Sequence, residues 1–227
     1  MKRTLKTIIA VLLVTLLAGS VTSQAAQKDD HATQILKKAI EKANEWNSVS
    51  YNYSQTMNYI DDASGRKYNQ TLQAMCTDDK KYSYGIYIDG ENAWQSYTTK
   101  DVVYRKYYRD VKWTTYTNYN TEEYSTLKSD ISGLLEDVKE LELSSESKTT
   151  YTLKGKNAKK DALWKSVTIT INKKSGLITK IKYTYNTKTM NYLGSNSTFT
   201  ITGGSRTYSY ISYCDSSITL PDELQGK

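Results

Sequence analysis

The chain has 227 residues and a formal net charge of +7, with 21 Tyr and four Trp against a single Phe, one His and two Cys. One His and two widely spaced Cys leave too few ligands for a metal site, and an evenly spread charge offers no nucleic-acid stripe. No G-x-S-x-G, phosphate-cradling Gly loop or Cys–His arrangement occurs, so neither an enzyme nor a cofactor is expected.

Met1–Ala25 reads as a signal peptide. Lys2, Arg3 and Lys6 form a positive n-region, Ile8 to Ala18 is apolar except for Thr15, and Ser23-Gln24-Ala25 supplies a cleavage pattern. No segment approaches the ~18 consecutive apolar residues of a spanning helix, so no transmembrane segment is expected after cleavage. Position 20, after Leu17-Ala18-Gly19, is Ser rather than the Cys that a lipid anchor needs. The expectation is a secreted, extracytoplasmic protein of the cell envelope, with residues 26–227 as a single domain. Removing the three n-region cations lowers the net charge from +7 to +4, which suits an anionic wall or membrane surface.

Leu, Ile, Val and Phe make up 33 of the remaining 202 residues, below the ~20% that marks disorder in highly charged chains. Here the net charge is low, and ordered aromatic alternation supplies the missing apolar area. A folded chain with a core thin in aliphatics follows.

Ala32 to Asn47 has Leu36, Ala39 or Ile40, Ala43 and Trp46 at helical spacing, with Asp30 or Thr33 as candidate caps. The period then changes to two. Val49, Tyr51, Tyr53, Gln55, Met57 and Tyr59 share one strand face, and Ser50 to Asn58 the other. Lys67 to Cys76 returns as a strand after the Asp61–Gly65 turn, and Tyr82 to Ile88 pairs through Asp89-Gly90 with Trp94 to Tyr97. Val102 to Tyr108 and Lys112 to Tyr119 follow. Thr121 is the candidate cap of a second helix, with Leu127, Ile131, Leu134, Leu135 and Val138 as its apolar stripe. Strands resume at Glu140–Leu143 and Thr149–Gly155. A hairpin follows around Lys173–Gly176, and two last strands are expected near Ser197–Thr202 and Thr207–Cys214. The fold class is α+β, mainly β: a curved antiparallel sheet forming an unclosed barrel, its concave face covered by an N-terminal and a mid-chain helix. Cys76 and Cys214 both lie in strands; a disulfide and two free thiols are equally compatible with the sequence.

This order resembles the LolA-like lipoprotein carriers and related lipid-binding lipoproteins of bacteria. The resemblance rests on the helix-to-strand passage Ile40–Tyr59, the strand–turn–aromatic run Tyr82–Tyr97, the helical interruption Thr121–Val138, the Ile169–Ile178 hairpin and the closing Ile218-x-Leu220-Pro221. It implies a concavity that takes acyl chains or similar amphiphiles, and therefore a non-enzymatic carrier or envelope sensor. This chain departs from the carriers in offering Tyr where they offer Leu and Phe. The ligand-binding candidates are Tyr51, Tyr53, Met57, Tyr59, Tyr82, Tyr84, Ile86, Trp94 and Trp113 on the sheet, with Leu127, Ile131, Leu134 and Leu135 as a lid. Tyr hydroxyls, Lys106 or Lys112 would meet a head group. The competing reading of each ring is core packing beneath the helices. The expected partner is a lipid or amphiphile. A cell-wall polymer or envelope protein, bound by exposed Tyr and Trp, is the alternative.

Overall fold

The computed structural model describes residues 31–79, 81–99, 101–117, 126–191 and 197–225. The segment read as a signal peptide and the candidate caps Asp30 and Thr121 lie outside them. Residues 31–44 form helix α1. Its Ala32, Leu36, Ala39, Ile40 and Ala43 are buried on one stripe, as the 3.6-residue period requires. The helix ends three residues earlier than Asn47. There the Lys128 ammonium donates to the carbonyls of Ala43 (2.8 Å) and Trp46, groups that a helix end leaves unpaired.

Among the described residues twelve strands follow, all antiparallel: β1 (Ser48–Asp61), β2 (Lys67–Asp78), β3 (Ser83–Asp89), β4 (Asn92–Thr98), β5 (Val102–Tyr107), β6 (Thr114–Thr117), β7 (Val138–Glu146), β8 (Thr150–Asn157), β9 (Trp164–Asn172), β10 (Ile178–Tyr185), β11 (Lys188–Asn191) and β12 (Thr198–Cys214). They form one sheet in the order β6-β5-β4-β3-β2-β1-β12-β10-β9-β8-β7, with β11 beside the far end of β12. The edges β6 and β7 are not paired with each other, so the curved sheet does not close. This is the architecture expected from the sequence.

Two differences have physical causes, and one question that the sequence left open is answered. The two last expected strands are one, β12, because Gly203 and Gly204 carry the chain through a register shift against Asn58 and Tyr59. Gly204 has φ +130°, and a Cβ there would meet the Thr56 carbonyl oxygen, so only Gly fits. The mid-chain helix α2 spans Leu127–Asp137, and its cap is Thr126, whose hydroxyl accepts from the Ser129 N–H at 3.1 Å. Val138 opens β7 instead of closing the helix. Finally, the two cysteines are free. Cys76 pairs with Tyr51 on one side of β1 and Cys214 with Ser48 on the other. Two strand spacings of ~4.8 Å thus exceed the ~7 Å Cα separation a disulfide tolerates.

The core is asymmetric. α1 and α2 pack on β7–β10, β12 and the start of β1, where Leu141, Leu153, Val167, Ile169, Ile171, Ile178 and Ile181 are buried with Leu36, Leu127, Ile131 and Leu134. Most of β2–β6 receives neither helix. No helix among the described residues is long and apolar enough to cross a membrane.

Candidate functional site

Pairing assigns every side chain of the uncovered half to a face, because residues directly opposite in an antiparallel ladder share one. Tyr53, Ala74, Tyr87, Trp94 and Tyr107 are mutually opposite across β1–β5, as are Tyr51, Cys76, Gly85, Ser96 and Arg105. This is the face that α1 and α2 cover farther along the sheet. It encloses a cavity of about 300 Å³, walled by Tyr51, Tyr53, Leu72, Tyr87, Trp94 and Val103 with Gln55, Ser96, Arg105, Arg206 and Tyr208 among them. Gly85 shapes the floor: a Cβ there would occupy the space taken by the Tyr87 ring.

The rings form a connected wall. Tyr87 stacks on Trp94 with centroids 5.5 Å apart and planes 7° from parallel. Tyr208 meets Tyr51 edge-on at 5.3 Å and Tyr53 at 5.4 Å. Burial holds the hydroxyls of Tyr51, Tyr53, Tyr87 and Tyr208 well above the ordinary phenol range, so they remain neutral hydrogen-bonding groups. Burial, then the Asp78 charge, pushes the Cys76 thiol up to about 12, which makes it a poor nucleophile.

Asp78 underlies this wall. Its carboxylate accepts from Ser83 Oγ at 2.6 Å, Tyr51 Oη at 3.0 Å and the backbone N–H of Leu127. It therefore ties β1 and β3 to the first turn of α2. Burial raises its pKa from 3.8 to about 6, against the lowering effect of those three donors.

Of the sequence candidates, Tyr51, Tyr53 and Trp94 meet in the cavity. Met57 and Tyr59 lie farther along the same face of β1, where Tyr59 stacks on Tyr68 at 5.1 Å. Tyr82 sits in the β2–β3 turn, its N–H donating to Asp79 Oδ1 at 2.7 Å. Tyr84 and Ile86 are on the opposite face, correcting the sequence reading. The Asp78–Ser83 pairing, held by their buried hydrogen bond, sends Ser83, Gly85 and Tyr87 inward and the even-numbered residues outward.

Trp113 is also outside, packed on Tyr97 at 5.5 Å with Lys106 over its ring at 5.9 Å. Lys106 therefore does not face the cavity, and Lys112 is exposed. The cations within it are Arg105, which the inverted phase concealed, and Arg206, which falls between the two last strands expected from the sequence. Leu127, Ile131 and Leu134 are only 1% exposed and fill the core, while Leu135 is 36% exposed and faces away. None of the four lines the cavity. Among the described residues no cluster of His, Cys, Asp and Glu could hold a metal ion.

No family model matches the sequence, and no curated protein matches it. Solved structures do match. LprF from Mycobacterium bovis is 10% identical with a TM-score of 0.50, covering 86% of this chain and 97% of its own. The lipoprotein LppX of Mycobacterium tuberculosis is 15% identical with a TM-score of 0.47, over 85% and 100% of the two chains. A LolA superfamily protein from Nitrosomonas europaea is 14% identical with a TM-score of 0.29, over 86% and 97%. The chain shares its fold with LprF.

Proposed function

We propose that this protein is an exported, non-enzymatic binding protein of the cell envelope that holds a lipid or other amphiphile in its Tyr-rich concavity, as a carrier or sensor. The observation that carries this reading is the cavity of about 300 Å³ on the half of the sheet that the helices leave uncovered. That volume is at the lower bound for small-molecule pockets, which combine apolar walls with a few orienting polar groups. Ring faces, Leu72 and Val103 offer the apolar surface whose removal from water drives binding. Tyr, Gln and Ser tips and the two guanidinium groups offer the polar part. The signal-peptide pattern read in residues 1–25 supports an envelope setting.

Native mass spectrometry of the protein, purified gently after export from a bacterial host, tests this directly. A co-purifying amphiphile, lost in Leu72→Lys with the circular dichroism spectrum unchanged, is the expected result. An apo mass, together with no binding of dodecanoate or a hydrophobic dye, would overturn the reading.

A second reading is favoured by the outer face, where Tyr84 and Tyr97 (4.6 Å) and Trp113 form a ring cluster beneath Lys106. Such a surface suits stacking on the sugars of a cell-wall polymer, and cosedimentation with insoluble peptidoglycan, abolished in Trp113→Ala, is its test.

A further inference from the structure

Two arginines enter the concavity from strands five places apart in the sheet order, β5 and β12. At ~4.8 Å per strand that is a long path along the sheet surface; Arg105 and Arg206 nevertheless line the same cavity, because the sheet curls. Each guanidinium lies on aromatic faces. Arg105 is 5.2 Å from the Trp94 ring and 5.4 Å from that of Tyr116, and Arg206 is 4.7 Å from Tyr183 and 5.6 Å from Tyr208. Stacking orients the planar group while leaving its N–H edge free to form paired hydrogen bonds. The Nε of each arginine is buried and has no hydrogen-bond partner among the described residues. A buried donor is ordinarily satisfied, so two around one cavity call for an acceptor.

The charge balance points the same way. Arg206 is 3.6 Å from Asp130 of α2, whereas Arg105 forms no ion pair among the described residues; its polar contact is the Tyr107 hydroxyl at 3.4 Å. Among the described residues no Asp or Glu lines the cavity. Asp78, behind Tyr51 and Ser83, is already committed to three donors. With Arg206 paired to Asp130, the excess positive charge of the concavity is that of Arg105, set among neutral hydroxyls, and the Nε of each arginine lacks a hydrogen-bond acceptor among the described residues.

We propose that Arg105 and Arg206 form an anion-binding subsite that selects a carboxylate or phosphate as the polar end of the bound molecule. The assignment rests on the amphiphile reading above and narrows it: a cationic amphiphile would be repelled, and a neutral one would offer acceptors without the charge that strengthens hydrogen bonds to a guanidinium. Carboxylate and phosphate share the anionic, multi-oxygen chemistry that guanidinium recognises. A lipid head group and a free anion are separable sources of it.

The test uses equal-chain probes titrated against the whole protein, read by Trp fluorescence and native mass spectrometry. These are dodecanoate, dodecyl phosphate, dodecanol and dodecyltrimethylammonium, with inorganic phosphate as the chain-free control. Dodecanoate and dodecyl phosphate should bind about tenfold or more tighter than dodecanol, the scale of one charge-assisted hydrogen-bonded contact. Arg105→Gln should reduce that preference to about threefold or less without weakening dodecanol, since the amide retains a donor but not the charge. Arg206→Gln should do the same; because it also loses Asp130, its fold is checked by thermal melting, and Arg105→Gln carries the test if it fails to fold.

Equal affinity for dodecanol and dodecanoate would overturn the anion subsite while leaving the amphiphile reading standing. Tight inorganic phosphate binding without any gain from the chain would support the subsite and refute the amphiphile. No binding of any probe would overturn both.

Discussion

Asp78 offers a stability test whose sign can be worked out from its surroundings. The carboxylate is fully buried, and burial outweighs the three hydrogen bonds it accepts, so its pKa rises from 3.8 to about 6. The folded protein therefore holds a proton there between pH 3.8 and 6 that the unfolded chain has released. Stability falls with pH wherever the native state binds more protons. Asp78 contributes most when protonated, below about 3.8, and that contribution declines as pH rises through about 6. A displacement of about two pH units at 1.36 kcal/mol each amounts to ~3 kcal/mol.

Asp78→Asn isolates this effect from the other carboxylates. The amide oxygen can still accept from Tyr51 and the Leu127 N–H, and the amide nitrogen can donate to a rotated Ser83 hydroxyl. Urea unfolding of both proteins, followed by Trp fluorescence at about pH 4, 6 and 8, gives the difference at each pH. Wild type should lose ~2.5 kcal/mol relative to the Asp78→Asn variant between about pH 4 and 8, because at pH 4 part of the effect is already gone. A difference constant within ~0.5 kcal/mol would refute the argument. A wild type that gained on the variant with rising pH would show that the three donors overcome burial.

Leu134→Ala should cost ~2–5 kcal/mol in urea unfolding because the side chain is buried in the core, whereas Leu135→Ala next to it should cost less than ~1 kcal/mol. Gly204→Ala should destabilise by ~3 kcal/mol or more, through both φ +130° and the collision with the Thr56 carbonyl; near-wild-type melting would refute the backbone account. Lys128→Met keeps the stem but removes the ammonium from the carbonyls of Ala43 and Trp46. Thermal melting should show a loss of ~2 kcal/mol, with hydrogen exchange rising first at the end of α1.

The elements that were legible in the sequence are those in which one face is sealed. α1 announces itself through Leu36, Ala39, Ile40 and Ala43 because only its apolar stripe is buried. The inward phase of β1 was readable from Val49, Tyr51 and Tyr53 for the same reason. β3 was not. Its residues 84, 86 and 88 are Tyr, Ile and Ile, yet they face outward, while Ser83 and Gly85 are buried. Alternation carries a period but no direction, and here a buried Ser–Asp hydrogen bond decides it. That inversion moved Arg105 out of the expected site and Lys106 into it. The merging of the last two strands was equally hidden, since the sequence does not show that β1 accepts the irregularity at Gly203 and Gly204 as a bulge.

The distribution of aliphatic residues along the chain explains why a fold so short of them leaves a cavity. Strands β7–β10 carry Leu141, Leu153, Val167, Ile169, Ile171, Ile178 and Ile181 inward, and both helices sit on them. The inward residues of β2–β5 are instead largely Ala, Cys, Ser, Tyr, Trp and Arg. A Leu or Ile gains from burial over its whole surface, so a sheet face built of them draws a helix onto it. A ring tipped by a hydroxyl, or a stacked guanidinium, is stable beside water and loses its hydrogen bonds if covered by an apolar helix. The same chain thus encodes a half that must be covered by its own helices and a half that must not. On the proposed function, a bound molecule would complete the half that the helices leave uncovered, bringing apolar surface for the rings and acceptors for the arginines.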